Sequence, residues 1–190
     1  NEKTELALFE AGISRPDEMH RLEEIIHPTI GLITNIGDAH QEGFASVQQK
    51  CMEKLTLLQG CDCIIYDGDN EIIRDCIEKR CLGAYEIAWS RKDPERPLYI
   101  KSIEKDDTGT TIRYHYLTIE NSYRIPFLDD ASIEDSISCL AAALYLMIPA
   151  NVIAERMAQL EPVAMRLEVK EGKRGCIIIN DSYNSDTASL

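Results

Sequence analysis

The chain has 190 residues, of which 44% are hydrophobic and 28% are charged, and this composition is typical of a globular protein. The net charge is −13 and the sequence pI is about 4.7, so the surface repels nucleic acid and anionic membranes. The chain shows no signal peptide and no apolar run long enough to cross a bilayer. These features predict a soluble cytoplasmic protein.

The first half of the chain alternates between predicted strands and predicted helices. Short apolar runs that end at polar or glycine residues predict strands at 6–9, 30–36, 63–66 and 85–89. Periodic apolar positions between them predict helices at 16–27, 46–59 and 70–81, the second of them capped by Ser46. Strands that alternate with helices in this way indicate a parallel α/β sheet.

The second half begins with a different pattern. Residues 98–105, 110–119 and 122–127 are β-rich, and the polar stretches DDTG and ENS separate them, which predicts an antiparallel meander on or beside the parallel sheet. A helix capped by Ser132, a helix at about 150–160 and a strand at 176–179 follow. The predicted fold class is α/β, with a mostly parallel sheet flanked by helices and an added antiparallel β section.

Seven cysteines are present, at positions that form no disulfide framework and no paired zinc-ligand spacing. Free cysteine is among the most buried residue types, so we expect buried thiols in a reducing compartment.

Polar side chains follow three of the predicted strands. They are Glu10, the loop from Asn35 to His40, and the segment from Asp181 to Asn184. Ligand sites of parallel sheets lie beyond the carboxyl ends of the strands, and a carboxylate, an imidazole and a further anion could hold a hard divalent cation together with phosphate oxygens. Each residue also has a plainer interpretation, as a solvated strand end, a loop hydrogen-bonding group or a turn residue.

The common phosphate-binding motifs are absent from these residues. Neither GxxxxGK[ST] nor GxGxxG occurs. From spacing alone, the sequence predicts an α/β domain with a metal–phosphate site and no more.

Four stretches, FEAG, ITNIGDAHQEGFAS, MRLEV and NDSYNSD, occur in this order and resemble the central ATPase domain of the Mur ligase family. The resemblance covers nearly the whole chain: residues 1–182 would be the central domain, and 183–190 would begin the linker to a C-terminal domain. It implies a fold related to the P-loop NTPases, ATP and Mg²⁺ as cofactors, and activation of a substrate carboxylate as an acyl phosphate that an amine attacks to form an amide.

The resemblance also implies roles for individual residues. Glu10 and His40 match Mg²⁺ ligands of the family, and Asn35 matches a residue near the phosphates and the acyl acceptor. Lys54 falls where related ligases carry a carbamylated lysine, which would be both catalytic and a metal ligand; a solvated helix lysine is the alternative. Thr56 departs from the pattern, because the family commonly has Glu there.

Further implied contacts concern the nucleotide. Arg166 matches an arginine that contacts nucleotide, and Asp181, Tyr183 and Asn184 match a segment that lines the ATP pocket. Asp135 replaces an asparagine of the family, which puts an adenine contact at this position in doubt.

The DSYN segment favours the branch of the family that adds D-alanyl-D-alanine to UDP-N-acetylmuramoyl-tripeptide in peptidoglycan synthesis. A sibling ligase with another amino-acid substrate, such as diaminopimelate or lysine, and a non-catalytic α/β binding module are the alternatives. Some relatives are fused to an alanine racemase, so the longer parent protein from which this chain would come could also carry such a domain. The family's phosphate-binding loop would precede residue 1, so we expect a fragment that folds but does not turn over ATP alone.

Overall fold

A computed structural model describes residues 3–13, 15–36, 43–163 and 168–180. The chain forms two compact units, Asn1–Pro97 and Leu98–Leu190. Within the described residues, no helix combines the length and the apolar character that crossing a membrane requires.

The first unit contains a parallel three-stranded sheet with β2 in the middle, which confirms the predicted α/β pattern. The strands are β1 (Ile30–Ile33), β2 (Cys63–Asp67) and β3 (Tyr85–Ser90), and the helices are α1 (Glu18–Ile26), α2 (Val47–Lys54) and α3 (Glu71–Arg80). The helix α2 lies between β1 and β2 in the chain, and α3 lies between β2 and β3. Parallel neighbours need such crossover connections.

One apolar cluster holds α2 and α3 against the sheet. Its helix-side members include Cys51, Ile73 and Ile77, and its strand members include Ile64 and Tyr66. All five side chains are buried, so this cluster is the core that fixes the position of α2 relative to the strands.

Two of the helix starts follow from local capping. The hydroxyl of Ser46 accepts a 3.1 Å hydrogen bond from the Gln49 N–H, which confirms the predicted cap of α2. The Asn70 side chain accepts in the same way from the Ile73 N–H at 3.2 Å at the start of α3. The start of α2 predicted from Ser46 is therefore correct.

The strand predicted at 6–9 is wrong, because residues 4–13 contain no strand or helix. Leu6, Leu8 and Phe9 are exposed, Leu8 by 89%. A strand is stabilised by hydrogen bonds to a neighbour, and within the described residues β1 pairs only with β2.

The second unit begins with the predicted antiparallel meander, formed by β4 (Leu98–Asp106), β5 (Gly109–Tyr116) and β6 (Ile119–Ile125). The DDTG turn is confirmed. The turn predicted at ENS is wrong: Tyr116 pairs with Ile119, so Leu117 and Thr118 form the turn and the three polar residues lie within β6. Leu117 adopts a left-handed conformation with φ 54°, which the composition of the segment does not indicate.

Two helices and a separate hairpin complete the second unit. They are α4 (Asp130–Tyr145), α5 (Ala150–Met157), β7 (Glu168–Glu171) and β8 (Ile177–Asn180). The cap predicted at Ser132 is wrong, because Asp129 caps α4 and its carboxylate accepts a 2.7 Å hydrogen bond from the Ser132 N–H. The hydroxyls of Tyr123 and Ser136 lie 2.9 Å apart and join β6 to α4.

The cysteine prediction is confirmed for four of the seven thiols. All seven are free; Cys51, Cys61, Cys63 and Cys76 are buried, whereas those at 81, 139 and 176 are exposed.

Candidate functional site

Three of the predicted site residues lie in the described part of the chain. Glu10 is exposed and belongs to no strand, Asn35 is exposed and follows β1 by two residues, and Lys54 is the last residue of α2 and is half-buried. The other predicted site residues, His40, Arg166, Asp181, Tyr183 and Asn184, lie outside the described residues. Their roles stay predictions.

A second apolar cluster brings together residues that stand near the three predicted metal ligands in the sequence. Ile13, Met19 and Phe44 form its buried centre, and Leu57 packs against them. Ile13 follows Glu10 by three residues, Phe44 follows position 40 by four, and Leu57 follows Lys54 by three. Segments that are distant in sequence are thus anchored on one small core. The sequence analysis did not predict this cluster, because Ile13 and Phe44 stand in segments without periodicity.

A hydrogen bond also connects α1 to α2. The backbone N–H of Asp17 donates to Glu53 Oε1 at 2.7 Å, and Glu53 directly precedes Lys54. Asp17 has φ 69° and is the N-cap residue of α1, so the start of α1 is held against the end of α2. This contact is independent of the apolar cluster and restricts the position of the same helix end.

The surroundings of Lys54 disfavour its charged form. Burial lowers the pKa of Lys54, and the positive charge of Lys50 lowers it further, while Cys51 opposes the shift. Burial also raises the pKa of the Cys51 thiol to about 12, and a hydrogen bond with Cys76 adds to this effect. Cys51 is therefore a neutral neighbour, and the amine of Lys54 is neutral at a lower pH than that of a solvated lysine.

Lys50 is a residue that the sequence analysis missed. It is only 4% exposed, although lysine is almost never fully buried in proteins, and it stands four residues before Lys54 on α2. Residues four apart are neighbours on one face of a helix. The spacing of the two lysines could have indicated their proximity, but not the burial of Lys50.

The turn after Lys54 is anchored from α3. The Arg80 guanidinium donates to Thr56 Oγ1 at 2.9 Å and to the Met52 carbonyl at 3.4 Å. The Thr56 hydroxyl in turn lies 3.4 Å from the Met52 carbonyl, to which it donates. Thr56, the departure noted in the sequence, therefore serves as an acceptor for an arginine that holds the end of α2.

The carboxyl ends of the three parallel strands carry a further polar network. The carboxylate of Asp69 accepts a 2.5 Å hydrogen bond from the Ser90 hydroxyl and a 2.8 Å bond from the Arg91 N–H. These contacts join the loop after β2 to the loop after β3, and they rigidify the edge of the sheet at which Asn35 lies.

Two of the three predicted ligands fit the preference of Mg²⁺ for oxygen, whereas His40 would supply an imidazole nitrogen. Glu10 offers a carboxylate, and a carbamate on Lys54 would offer two further oxygens. Among the side chains that the structure describes, no group of three or more His, Cys, Asp or Glu residues is arranged to hold a metal.

Comparisons of sequence find relatives that match along the whole chain. UDP-N-acetylmuramoyl-tripeptide–D-alanyl-D-alanine ligase of Bacillus subtilis is 27% identical over 192 residues, which cover 100% of this chain and 40% of the relative. The enzyme of the same name from Borreliella burgdorferi is 32% identical over 188 residues, which cover 98% of this chain and 39% of the relative. The chain thus spans about two fifths of the length of these relatives.

Comparisons of structure identify the same fold. A crystal structure of MurF from Acinetobacter baumannii superposes with a TM-score of 0.77 at 20% identity, covering 94% of this chain and 39% of that one. MurF ligase from Thermotoga maritima in complex with ADP superposes with a TM-score of 0.73 at 16% identity, covering 93% of this chain and 40% of that one. Residues 1–143 match the model of the protein family described as "Mur ligase middle domain". The chain therefore belongs to the Mur ligase middle-domain family.

Proposed function

We propose that this chain is the ATP-binding central part of a ligase that joins D-alanyl-D-alanine to UDP-N-acetylmuramoyl-tripeptide. ATP would phosphorylate the terminal carboxylate of the tripeptide, and the amine of the dipeptide would displace phosphate to form the amide. The observation that supports the proposal is the cluster of Ile13, Met19, Phe44 and Leu57, since it joins the residue three positions after Glu10 to the residue three positions after Lys54.

Each part of the proposed site has a distinct task. Glu10, His40 and the carbamate of Lys54 would hold Mg²⁺, which when bound offsets the negative charge of the phosphates. Asn35, at the carboxyl end of β1, would orient the phosphates and the acyl acceptor. Arg166 would contact the nucleotide.

Residues near the end of the chain would complete the nucleotide site. Asp181, Tyr183 and Asn184 follow β8, and we propose that they line the ATP pocket. The ADP complex of the Thermotoga maritima relative supports nucleotide binding by this fold.

Lys54 is suited to carbamate formation by its protonation state. Only a neutral amine attacks carbon dioxide, and both burial and the charge of Lys50 favour the neutral form. The lowered pKa of Lys54 supports this role over that of an ordinary surface lysine.

The test is an assay of phosphate release by the intact parent polypeptide. We expect release to require ATP, UDP-N-acetylmuramoyl-tripeptide and D-alanyl-D-alanine together, with omission of any one as the control. Release with diaminopimelate or lysine in place of the dipeptide, on a UDP-N-acetylmuramoyl-dipeptide, would instead identify a sibling ligase. Binding of ATP with no release under any combination would indicate a non-catalytic module and refute the proposal.

A further inference from the structure

We propose that Glu53 is a positioning residue that caps α1 from a neighbouring helix and so holds the segment of Glu10 in place relative to Lys54. The inference rests on the proposed function, because Glu10 and Lys54 are Mg²⁺ ligands only within that function. Glu53 itself matches none of the predicted site residues.

The first observation concerns the start of α1, whose N-cap residue provides no cap of its own. The first N–H groups of a helix have no acceptor within the helix, and the N-cap side chain commonly accepts from one of them. Ser46 and Asn70 do so for α2 and α3, but the side chain of Asp17 makes no capping hydrogen bond. The 3.0 Å bond from the Arg15 N–H to the Glu18 carboxylate stays within the start of α1. These local side chains therefore do not attach the start of α1 to another element.

The second observation is that α2 supplies such an attachment. The backbone N–H of Asp17 donates to Glu53 Oε1 at 2.7 Å, and the two residues are 36 positions apart in the sequence. A carboxylate is a stronger acceptor than a neutral oxygen, and a negative charge is favourable at the N-terminus of a helix. Glu53 thus takes, from a different helix, the role of the acidic residue of a capping box, which accepts from the N–H of the N-cap residue.

The third observation is where this bond lies relative to the proposed ligands. Glu53 directly precedes Lys54 and is half-buried near the end of α2. Asp17 follows Glu10 by seven residues, and Ile13, between them, is buried in the second apolar cluster. The segment that leads from Glu10 into α1 is therefore held at two points, by an apolar contact and by a hydrogen bond.

The two contacts restrict this segment in different ways. Apolar burial is non-directional, so it does not by itself fix an orientation. A hydrogen bond weakens steeply when its angle departs from linearity, so it fixes direction as well as distance. Mg²⁺ demands near-octahedral geometry from its ligands, and a loss of orientation therefore costs metal affinity even where the fold persists. The Glu53 carboxylate is a directional restraint between the segment of Glu10 and the helix of Lys54.

The experiment compares Glu53→Leu, which removes the acceptor, with Glu53→Gln, which loses the charge but keeps an oxygen at the same place. Glu155, an exposed glutamate on α5, provides Glu155→Leu and Glu155→Gln as matched controls for the loss of a negative charge from a helix surface. All variants are made in the intact parent polypeptide. Mn²⁺, which suits the same oxygen ligands as Mg²⁺, is titrated into each protein at a fixed concentration of the non-hydrolysable ATP analogue AMPPCP and followed by electron paramagnetic resonance.

We expect Glu53→Leu to weaken Mn²⁺ binding about tenfold, as for the loss of one hydrogen bond to a charged group, and Glu53→Gln to stay within about twofold of the unsubstituted protein. Amide hydrogen exchange in the peptide that contains Asp17 should be faster in Glu53→Leu and unchanged in Glu53→Gln. In steady-state assays, the Mg²⁺ concentration at half-maximal turnover should rise in Glu53→Leu, whereas the KM for D-alanyl-D-alanine should not change. Both Glu155 variants should match the unsubstituted protein in every measurement.

An unchanged Mn²⁺ affinity in Glu53→Leu would overturn the inference, even with a lower melting temperature, because Glu53 would then have a structural role only. Equal losses in Glu53→Leu and Glu53→Gln, or a matching loss in Glu155→Leu, would also overturn it, because the charge and not the hydrogen bond would be the cause. Amide formation in a parent that is insensitive to Glu53→Leu would overturn the inference and leave the proposed function intact. A parent whose Mn²⁺ affinity depends on Glu53 as expected, but which forms no amide, would support the inference and refute the proposed function.

Discussion

The guanidinium of Arg80, at the end of α3, donates a 2.9 Å hydrogen bond to the hydroxyl of Thr56, two residues after Lys54. A second bond from the same guanidinium reaches the Met52 carbonyl within α2. The position of Lys54 therefore depends on a residue that is 26 positions away in sequence.

Removing this hydrogen bond should destabilise the protein slightly and measurably. Thr56→Val keeps the side-chain shape but loses the acceptor for Arg80, and we expect a loss of about 0.5–1.5 kcal/mol in the free energy of unfolding. Urea unfolding of the two proteins measures the difference. Thr118→Val, in the exposed turn between β5 and β6, is the control; an equal effect there would show that the contact with Arg80 contributes nothing.

The apolar cluster around Met19 should be sensitive to cavity formation. Met19 is 1% exposed, so Met19→Ala should cost about 2–5 kcal/mol and lower ligase activity by displacing the segments around it. Met147, which is 88% exposed, provides a control with the same change of side chain, expected within about 0.5 kcal/mol of the parent. Similar melting temperatures for the two alanine variants would contradict the structure at this cluster.

The proposed metal site predicts a specific phenotype for His40. His40→Ala should reduce turnover about a hundredfold or more at fixed Mg²⁺, because one ligand is lost, while circular dichroism and the melting temperature stay unchanged. His20→Ala, on the exposed face of α1, should retain full activity. Unchanged turnover in His40→Ala would remove this residue from the site.

The proposed carbamate predicts chemical rescue at position 54. Lys54→Ala should abolish amide formation, and a short-chain carboxylate such as acetate should restore part of it by supplying the missing oxygen ligands. Steady-state rates over a series of acetate concentrations measure the rescue, with chloride at equal ionic strength as the control. Full activity of Lys54→Ala without any additive would exclude a catalytic role for this lysine.

The pKa of Lys54 also predicts a pH dependence of stability in buffer free of carbon dioxide. Its pKa in the folded protein lies below the ordinary value of 10.5, so the unfolded chain binds more protons between the two values and stability rises with pH across that interval. Below the pKa of Lys54 in the folded protein, Lys54 is charged in both states, and its charge then destabilises the folded protein by the full amount. Lys54→Met should therefore raise the melting temperature at neutral pH.

The gain from Lys54→Met should fade as the pH approaches 10.5, and it should be small, because Lys54 is only half-buried and solvent screens its charge. Thermal unfolding of both proteins from pH 7 to 10.5 measures it, with Lys79→Met as the control for loss of a lysine at an exposed position. A gain that is independent of pH would point to apolar packing rather than to the charge.

The features that the sequence predicted correctly are those that local chemistry determines. The Ser46 cap needs only the N–H of Gln49 three residues later, and the apolar runs at β2 and β3 are long enough to indicate buried strands. The cap predicted at Ser132 failed because Asp129, three residues earlier, competes for the same role. The strand predicted at 6–9 failed because apolar composition does not supply a hydrogen-bonding neighbour.

In the candidate site, too, the features set by local sequence could be predicted and those set by distant contacts could not. Asn35 and Lys54 could be placed at a strand end and on a helix from pattern alone. The burial of Lys50 and the joining of Ile13 to Phe44 arise from packing between segments that are distant in sequence. No period or motif within either segment encodes such contacts, so these features required the structure.

Leu57 is partly buried and packs against both apolar clusters of the first unit, the one beneath α2 and α3 and the one around Met19. A larger or smaller side chain at this position would disturb two cores at once, so evolution should accept a change there only together with a compensating change in volume in one cluster or the other. Leu57 is thus a position where the packing of the sheet core and the packing of the cluster around Met19 become linked. Substitutions that change the volume of one cluster should therefore be accompanied by substitutions in the other.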